Sequence, residues 1–275
     1  MLKDITLGQF FPGNSIIHRM DPRLKLVLTL VYIVVLFMCR GPVPYLILGG
    51  LIVATIIISK VGFKQVFTGL RPILNLIIIT TVFNVFYTTG GQVLFSWKFI
   101  TITTYGLYNA FYMVVRIILL IVGTFTLLTF TTSPIMLTDA IESTLSPLKR
   151  LHVPVHELAM MMSIALRFIP TLIEETDKIM AAQKSRGADF ESGNILKRAR
   201  ALIPILIPLF ISAFRRAEEL AVAMECRCYH GDVGRTRLRI LKFQKLDYAV
   251  MVVAILLFAV ALIANYTVTF GVVFA

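Results

Sequence analysis

The residues best placed to do chemistry in this sequence are two arginines in similar surroundings. One lies in Ala182-Gln183-Lys184-Ser185-Arg186-Gly187, the other in Ala223-Met224-Glu225-Cys226-Arg227-Cys228-Tyr229. Each stands where a long, mostly apolar helical pattern stops. A helix C-terminus leaves carbonyls unpaired and carries partial negative charge, so a cation is favoured there. On that reading both arginines are ordinary caps. A guanidinium fork also grips a carboxylate through two bonds. On that reading they are matching plugs for two acidic sockets on other proteins. Gly187 can take the left-handed conformation that ends a helix, whereas Cys228 at the corresponding place resists it. The turn after Arg227 is therefore expected to differ from the turn after Arg186.

The elements that position these tips follow from periodicity. Leu158, Met161, Ala165, Phe168, Leu172, Glu175, Ile179, Ala182 and Arg186 step by threes and fours, and so do Leu206, Phe210, Ala213, Ala217, Leu220, Met224 and Arg227. Both patterns read as one stripe of a helix, over residues 155–186 and 195–228. Pro170 in the first and Pro204 and Pro208 in the second should bend the axes. At about 1.5 Å per residue the first rod is roughly 48 Å long, against roughly 30 Å for a bilayer core. It also carries Glu174, Glu175, Asp177 and Lys178. Such a rod is expected to lie along a membrane face, its stripe turned to membrane spans or to another membrane protein.

The rest of the chain supplies the membrane. Of 275 residues 57% are hydrophobic and 15% charged, against about 25% charged in soluble domains. Net charge is +12, which for a membrane chain reads as a basic cytoplasmic side rather than as nucleic-acid binding. Three cysteines, Cys39, Cys226 and Cys228, form no disulfide framework, and the first twenty residues have no signal-peptide pattern. Asp21-Pro22 reads as a helix start. Spans are expected at 23–39, 45–59, 72–87 and 105–132, making residues 1–132 an N-terminal membrane domain, with a C-terminal span in 248–275. Between them, residues 133–247 are mixed in charge, with 17 of the 27 Lys and Arg falling in 139–247. They read as a cytoplasmic coupling domain of three amphipathic helices, a first at 135–149 preceding the two long rods. The loops at 40–44 and 88–104 carry one basic residue each and the 60–71 connector three. The positive-inside rule then puts the N-terminus in the cytoplasm and the C-terminus outside. The fold class is an all-α integral membrane protein of five transmembrane helices plus a coupling domain at the cytoplasmic face.

No Gly-x-x-x-x-Gly-Lys-Ser/Thr loop occurs, so no ATP hydrolysis is expected of this chain and it should need no cofactor. Cys226, Cys228 and His230 lack a second ligand pair, and His152 and His156 straddle Pro154, so no metal site is expected. Arg116 inside a span either serves a partner subunit or a lipid headgroup, or snorkels to the nearer interface. Asn75 and Asn84 should bond between helices. Met160, Met161 and Met162 read as core, or as an adaptable surface for several partners. The run from Arg235 to Lys245 reads as a lipid-headgroup anchor.

Three places resemble the transmembrane T component of energy-coupling factor transporters, a branch of the ABC importers. His18-Arg19-Met20-Asp21-Pro22-Arg23-Leu24-Lys25 is similar to its basic N-terminal motif. Arg167-Phe168-Ile169-Pro170 with Glu174, followed by residues 182–187, resembles its first arginine signature. Arg216-Ala217-Glu218-Glu219-Leu220-Ala221, followed by residues 223–229, resembles the second. The resemblance implies a scaffold whose two coupling helices cross and dock their tips on two different ATPase subunits, which themselves bind ATP and magnesium. It makes Ser185, Arg186, Gly187, Cys226, Arg227 and Cys228 the docking residues, with Glu174, Glu175, Gln183 and Glu225 in support. It assigns Leu158, Met160, Met161, Met162 and Phe210 to contact with a substrate-binding membrane S component, interchangeable among several. The expected role is vitamin or micronutrient uptake across a bacterial plasma membrane. The alternatives are the related membrane subunit of a cobalt or nickel importer and, remotely, an integral membrane enzyme.

Overall fold

In the computed structural model the described residues are 10–88, 90, 92–97, 100–190, 194–231 and 241–273. They form α1 (Ile16–Arg19), α2 (Pro22–Met38), α3 (Pro42–Ser59), α4 (Phe63–Leu70), α5 (Leu74–Tyr87), β1 (Val93–Trp97), β2 (Ile100–Thr103), α6 (Thr104–Thr124), α7 (Pro134–Thr144), α8 (Val155–Ser185), α9 (Ile195–Glu225) and α10 (Lys245–Val273). The class is all-α. The one addition is a hairpin in the 88–104 loop, antiparallel, with Trp97 opposite Ile100.

The chain divides into two compact units, one holding residues 8–140 and 241–275, the other holding 141–240. The first is centred on α2. Its Asp21 caps the helix by accepting from the N–H of Arg23 at 2.9 Å, and Pro22 follows at the first position. Tyr32 and Leu36 of α2, Leu48 of α3 and Ala261 of α10 are fully buried in one apolar cluster, with Val122 of α6 at its side. Tyr32 donates its hydroxyl to Leu119 O at 2.7 Å. Gly123 is what lets α6 come so close, because a Cβ there would meet the Tyr32 ring at 2.6 Å. α5 stands apart from this core, packed on α6 with only Ile77 buried.

Several boundaries differ from expectation, each for a local reason. The 60–71 connector is helical from Phe63, because Phe63, Val66, Phe67 and Leu70 repeat at helical spacing. A single 3-10 turn, Arg71–Ile73, carries that helix past Pro72 into α5. The fourth span ends in a π-helical turn, Phe125–Thr129. The expected 135–149 helix stops at Thr144 and continues as a 3-10 turn, Ser146–Leu151, around Pro147. The long helices end at Ser185 and Glu225, a residue or more before their arginines.

Among the described residues, five helical stretches suffice by length and hydropathy alone to cross a membrane: Pro42–Ser59, Phe63–Tyr87, Thr104–Thr129, Val155–Ser185 and Lys245–Thr267. This set admits α8, the least apolar of the five at a mean hydropathy of 1.3. It leaves out α2, which at 17 residues is short and is apolar after Arg23 and Lys25 in its first turn.

Candidate functional site

Within the second unit α8 packs against α9. Ala165, Phe168 and Leu172 of α8 and Ala213, Ala217, Leu220 and Met224 of α9 share one crevice of about 450 Å³. Seven residues of the two expected stripes are thus brought together. Arg216 Nη2 donates to Glu175 Oε2 at 2.9 Å across the same seam. The hydrogen bond from Ser212, and after it the Arg216 charge, hold the Glu175 carboxyl below its usual range against the opposing pull of desolvation. The acidic interruption in the first stripe is therefore a cross-link between the helices.

The two tips have one backbone geometry. At the end of α8, Arg186 and Ala188 both donate their N–H to Gln183 O, at 3.1 and 3.0 Å, and Gly187 donates to Lys184 O at 3.0 Å. At the end of α9, Arg227 and Tyr229 both donate to Met224 O, at 3.1 and 3.0 Å, and Cys228 donates to Glu225 O at 2.8 Å. These are the paired bonds of a Schellman turn, in which the residue after the arginine must be left-handed. Gly187 has φ +86° and Cys228 has φ +54°. The expectation that the second turn would differ is overturned: Cys228 takes the left-handed conformation despite its side chain. Three backbone bonds outweigh a penalty of about 1–2 kcal/mol. Arg186 and Arg227 hold the same place in the two turns, and both are exposed.

The other expected site residues fall around these turns. Ser185 ends α8 and donates its hydroxyl to Ala181 O at 3.1 Å. Gln183 and Glu225 serve the turns through their carbonyls. Cys226, Cys228, Glu174 and Glu225 are exposed. Leu158, Met161, Met162 and Phe210 are exposed at 44–63%, and Met160 beside them is half-buried. These apolar side chains lie outside the helix–helix seam.

Three further groups were read only in part from sequence. Arg116 donates from Nε to the Tyr45 hydroxyl at 2.8 Å and from Nη2 to Cys39 O at 3.2 Å. It caps the C-terminus of α2, where a cation offsets the carbonyl dipoles. Asn84 donates to Met113 Sδ of α6 at 2.7 Å, an inter-helix bond as expected, while Asn75 is exposed. His156 Nδ1 lies 2.8 Å from Glu142 Oε1, both buried. The basic run from Arg235 lies mostly outside the described residues. Among the described residues no three His, Cys, Asp or Glu converge on one point.

The chain's likeness to known proteins bears on this arrangement. A family model described as cobalt transport protein, CbiQ, matches residues 13–239. The energy-coupling factor transporter transmembrane protein EcfT of Clostridium kluyveri is 51% identical over 266 residues, covering 96% of this chain and 98% of that protein. The protein of the same name from Acidaminococcus fermentans is 54% identical over 258 residues, covering 94% and 96%. That of Lactococcus lactis subsp. cremoris is 48% identical, covering 95% and 98%. The chain belongs to this family of energy-coupling factor transporter transmembrane proteins. It is a multi-pass membrane subunit of a transporter. The matched family region contains α8, α9 and both arginine turns. The relatives' shared name favours the energy-coupling factor reading over the cobalt or nickel importer.

Proposed function

We propose that this subunit couples two cytoplasmic ATPases to a substrate-binding membrane S component during uptake of a vitamin or similar micronutrient. The observation that carries the reading is the repeated turn: two 31-residue helices end in the same Schellman geometry with an exposed arginine at the same place. One capped helix explains itself by its dipole. Two turns matched bond for bond, one of them against the preference of cysteine, fit two similar sockets. Arg186 and Arg227 would enter acidic sockets on the two ATPases, with Ser185, Gly187, Cys226 and Cys228 at the rims. The ATPases would bind and hydrolyse ATP with magnesium, since this sequence has no phosphate-binding loop.

The exposed apolar side chains of Leu158, Met161, Met162 and Phe210, with Met160 beside them, are suited to meet the S component. Flexible Met-rich surfaces accept several partners. We take α2 as a span and α8 as a rod at the membrane face, because α8 carries seven charged residues and α2 only two near its start. The basic excess in 139–247 supports a cytoplasmic N-terminus and tips at the cytoplasmic face of a bacterial cell membrane.

Co-purification after charge reversal tests this reading. Arg186→Glu and Arg227→Glu should each weaken ATPase association by about 2–5 kcal/mol if the arginine is desolvated in its socket. The double variant should lose ATP-driven uptake while the membrane part keeps its melting temperature. Normal uptake by the double variant would refute the docking role.

A further inference from the structure

The coupling segment expected from residue 133 onward begins with α7, whose first turns still belong to the first unit, and the chain returns to that unit at Leu241; its two junctions with the spans are residues 130–132 before α7 and 241–244 before α10. Both are held by a single short stretch of the N-terminus. On the outgoing side, Phe11 N donates to Phe130 O at 3.1 Å and their rings meet edge to face. Lys25 Nζ donates to Thr131 O at 2.9 Å and to Thr132 Oγ1 at 3.3 Å, with His18 O at 3.5 Å. On the returning side, Arg23 Nη2 donates to Leu241 O at 3.0 Å and its guanidinium lies over the Phe243 ring. Asp247 accepts from the backbone N–H of Asp21 at 2.9 Å and of Gln244 at 2.7 Å, tying the N-terminus of α10 to that of α2.

Lys25 and Asp247 are each only 1% exposed. Buried charges are poor stabilisers, because apolar residues of the same volume do as well or better. Their recognised use is to specify one arrangement, since displacement leaves the charge unsatisfied. Here the atoms specified are backbone carbonyls and N–H groups at the two junctions. The outgoing junction also follows a π-helical turn, Phe125–Thr129, an irregularity found frequently at functional sites.

We infer that residues 11–25 with Asp247 form a clasp that fixes both junctions of the coupling segment to the spans, and that Lys25, Arg23 and Asp247 are positioning residues for coupling. The inference rests on the coupling role proposed above. A stroke applied at the tips does work on the membrane part only if the segment's two ends cannot slip. With the clasp open, the ends absorb the stroke and ATP is spent without transport.

The test compares Lys25→Met, Arg23→Met, Asp247→Asn and the conservative Arg23→Lys in the full complex reconstituted in vesicles. Hydrogen exchange is also read on the chain at 127–132 and 241–247. The clasp predicts ATPase turnover within twofold of wild type, with uptake per ATP falling fivefold or more. Exchange should quicken at the outgoing junction for Lys25→Met and at the returning junction for Arg23→Met. Arg23→Lys, which still reaches Leu241 O, should recover most of the uptake per ATP. Unchanged exchange at both junctions overturns the clasp, and so does loosened exchange with unchanged uptake per ATP. Should Lys25→Met or Asp247→Asn fail to assemble, Arg23→Met decides alone, because its side chain is 25% exposed and gives up one backbone bond. Absence of ATP-driven uptake in the wild-type complex would instead refute the coupling reading, while exchange on the isolated chain would still report the clasp.

Discussion

The equivalence of the two tips can be tested by exchanging their left-handed residues. At Gly187 the conformation is free of strain, and nothing lies within 4 Å of where a Cβ would stand. Gly187→Ala therefore changes only the backbone energy. A left-handed non-glycine residue costs about 1–2 kcal/mol, and removing a glycine from the open state returns about 0.4–1 kcal/mol of entropy. The net loss is about 1 kcal/mol, close to fivefold in a local opening equilibrium. Cys228→Gly runs the same sum in reverse and should tighten the second turn by up to about 1 kcal/mol. The assay is native-state hydrogen exchange at the two amides that close the turns, those of Ala188 and Tyr229. The Ala188 amide should exchange about fivefold faster in Gly187→Ala, and the Tyr229 amide should slow in Cys228→Gly. Equal exchange in wild type and both variants, or changes of the same sign, would refute the claim that both turns carry this one strained position.

Gly123→Ala should lower the stability of the membrane unit by about 1–3 kcal/mol, read as a lower melting temperature in detergent, because its Cβ would drive into the Tyr32 ring. Arg116→Met should cost about 2 kcal/mol by losing charged bonds to Cys39 O and the Tyr45 hydroxyl, with ATPase co-purification unchanged. The Glu175 carboxyl is held below its ordinary value of 4.5, so its link to Arg216 is fully present above that pH and is lost as pH falls through the lower folded value. A spin-label distance between α8 and α9 should accordingly broaden on acidification, and Glu175→Gln should broaden it already at neutral pH. The residue two before the tip arginine is Lys184 in α8 and Glu225 in α9. The exchange Lys184→Glu with Glu225→Lys should therefore redirect which ATPase is pulled down by a single-tip variant, if the two ATPases differ.

The spans were legible because apolar runs of bilayer length have few other meanings. The long helices were legible because their stripes keep helical spacing over many turns. Their tips stood out because two similar short segments, residues 182–187 and 223–229, end them. Other features were hidden for physical reasons. The hairpin is signalled by Phe95-Ser96-Trp97 and Ile100-Thr101-Ile102-Thr103, which alternate, but the polar, glycine-containing residues 88–92 before them disguise it as a loop. The π-turn adds no residue type that marks it. Cys228 misled because propensity disfavours its conformation, and the bonds that impose it belong to residues three and five positions away. The clasp was the least visible. Lys25 and Thr131 are 106 positions apart, Asp21 and Asp247 226. Arg23 and Lys25 read from sequence as charges at the mouth of a span, and only the fold turns them inward upon the two junctions.

That the two turns share one geometry moves the question of partner discrimination. From sequence, Gly187 against Cys228 was the natural difference, because it implied two shapes. The shapes are the same, so backbone form cannot tell one socket from another. What differs is the side-chain field around an identically held arginine. The first tip adds Lys184 beside Arg186 and follows it with Ala188 and Asp189. The second places Glu225 beside Arg227 and follows it with Tyr229 and His230. The first keeps one net positive charge and is small beside the arginine, the second is closer to neutral and bulkier there. Coulomb attraction to an acidic socket is then stronger at the first tip, while the second has more apolar surface to bury. On the proposed docking role, one backbone motif used twice would receive two unlike ATPases without giving up a common mechanical linkage.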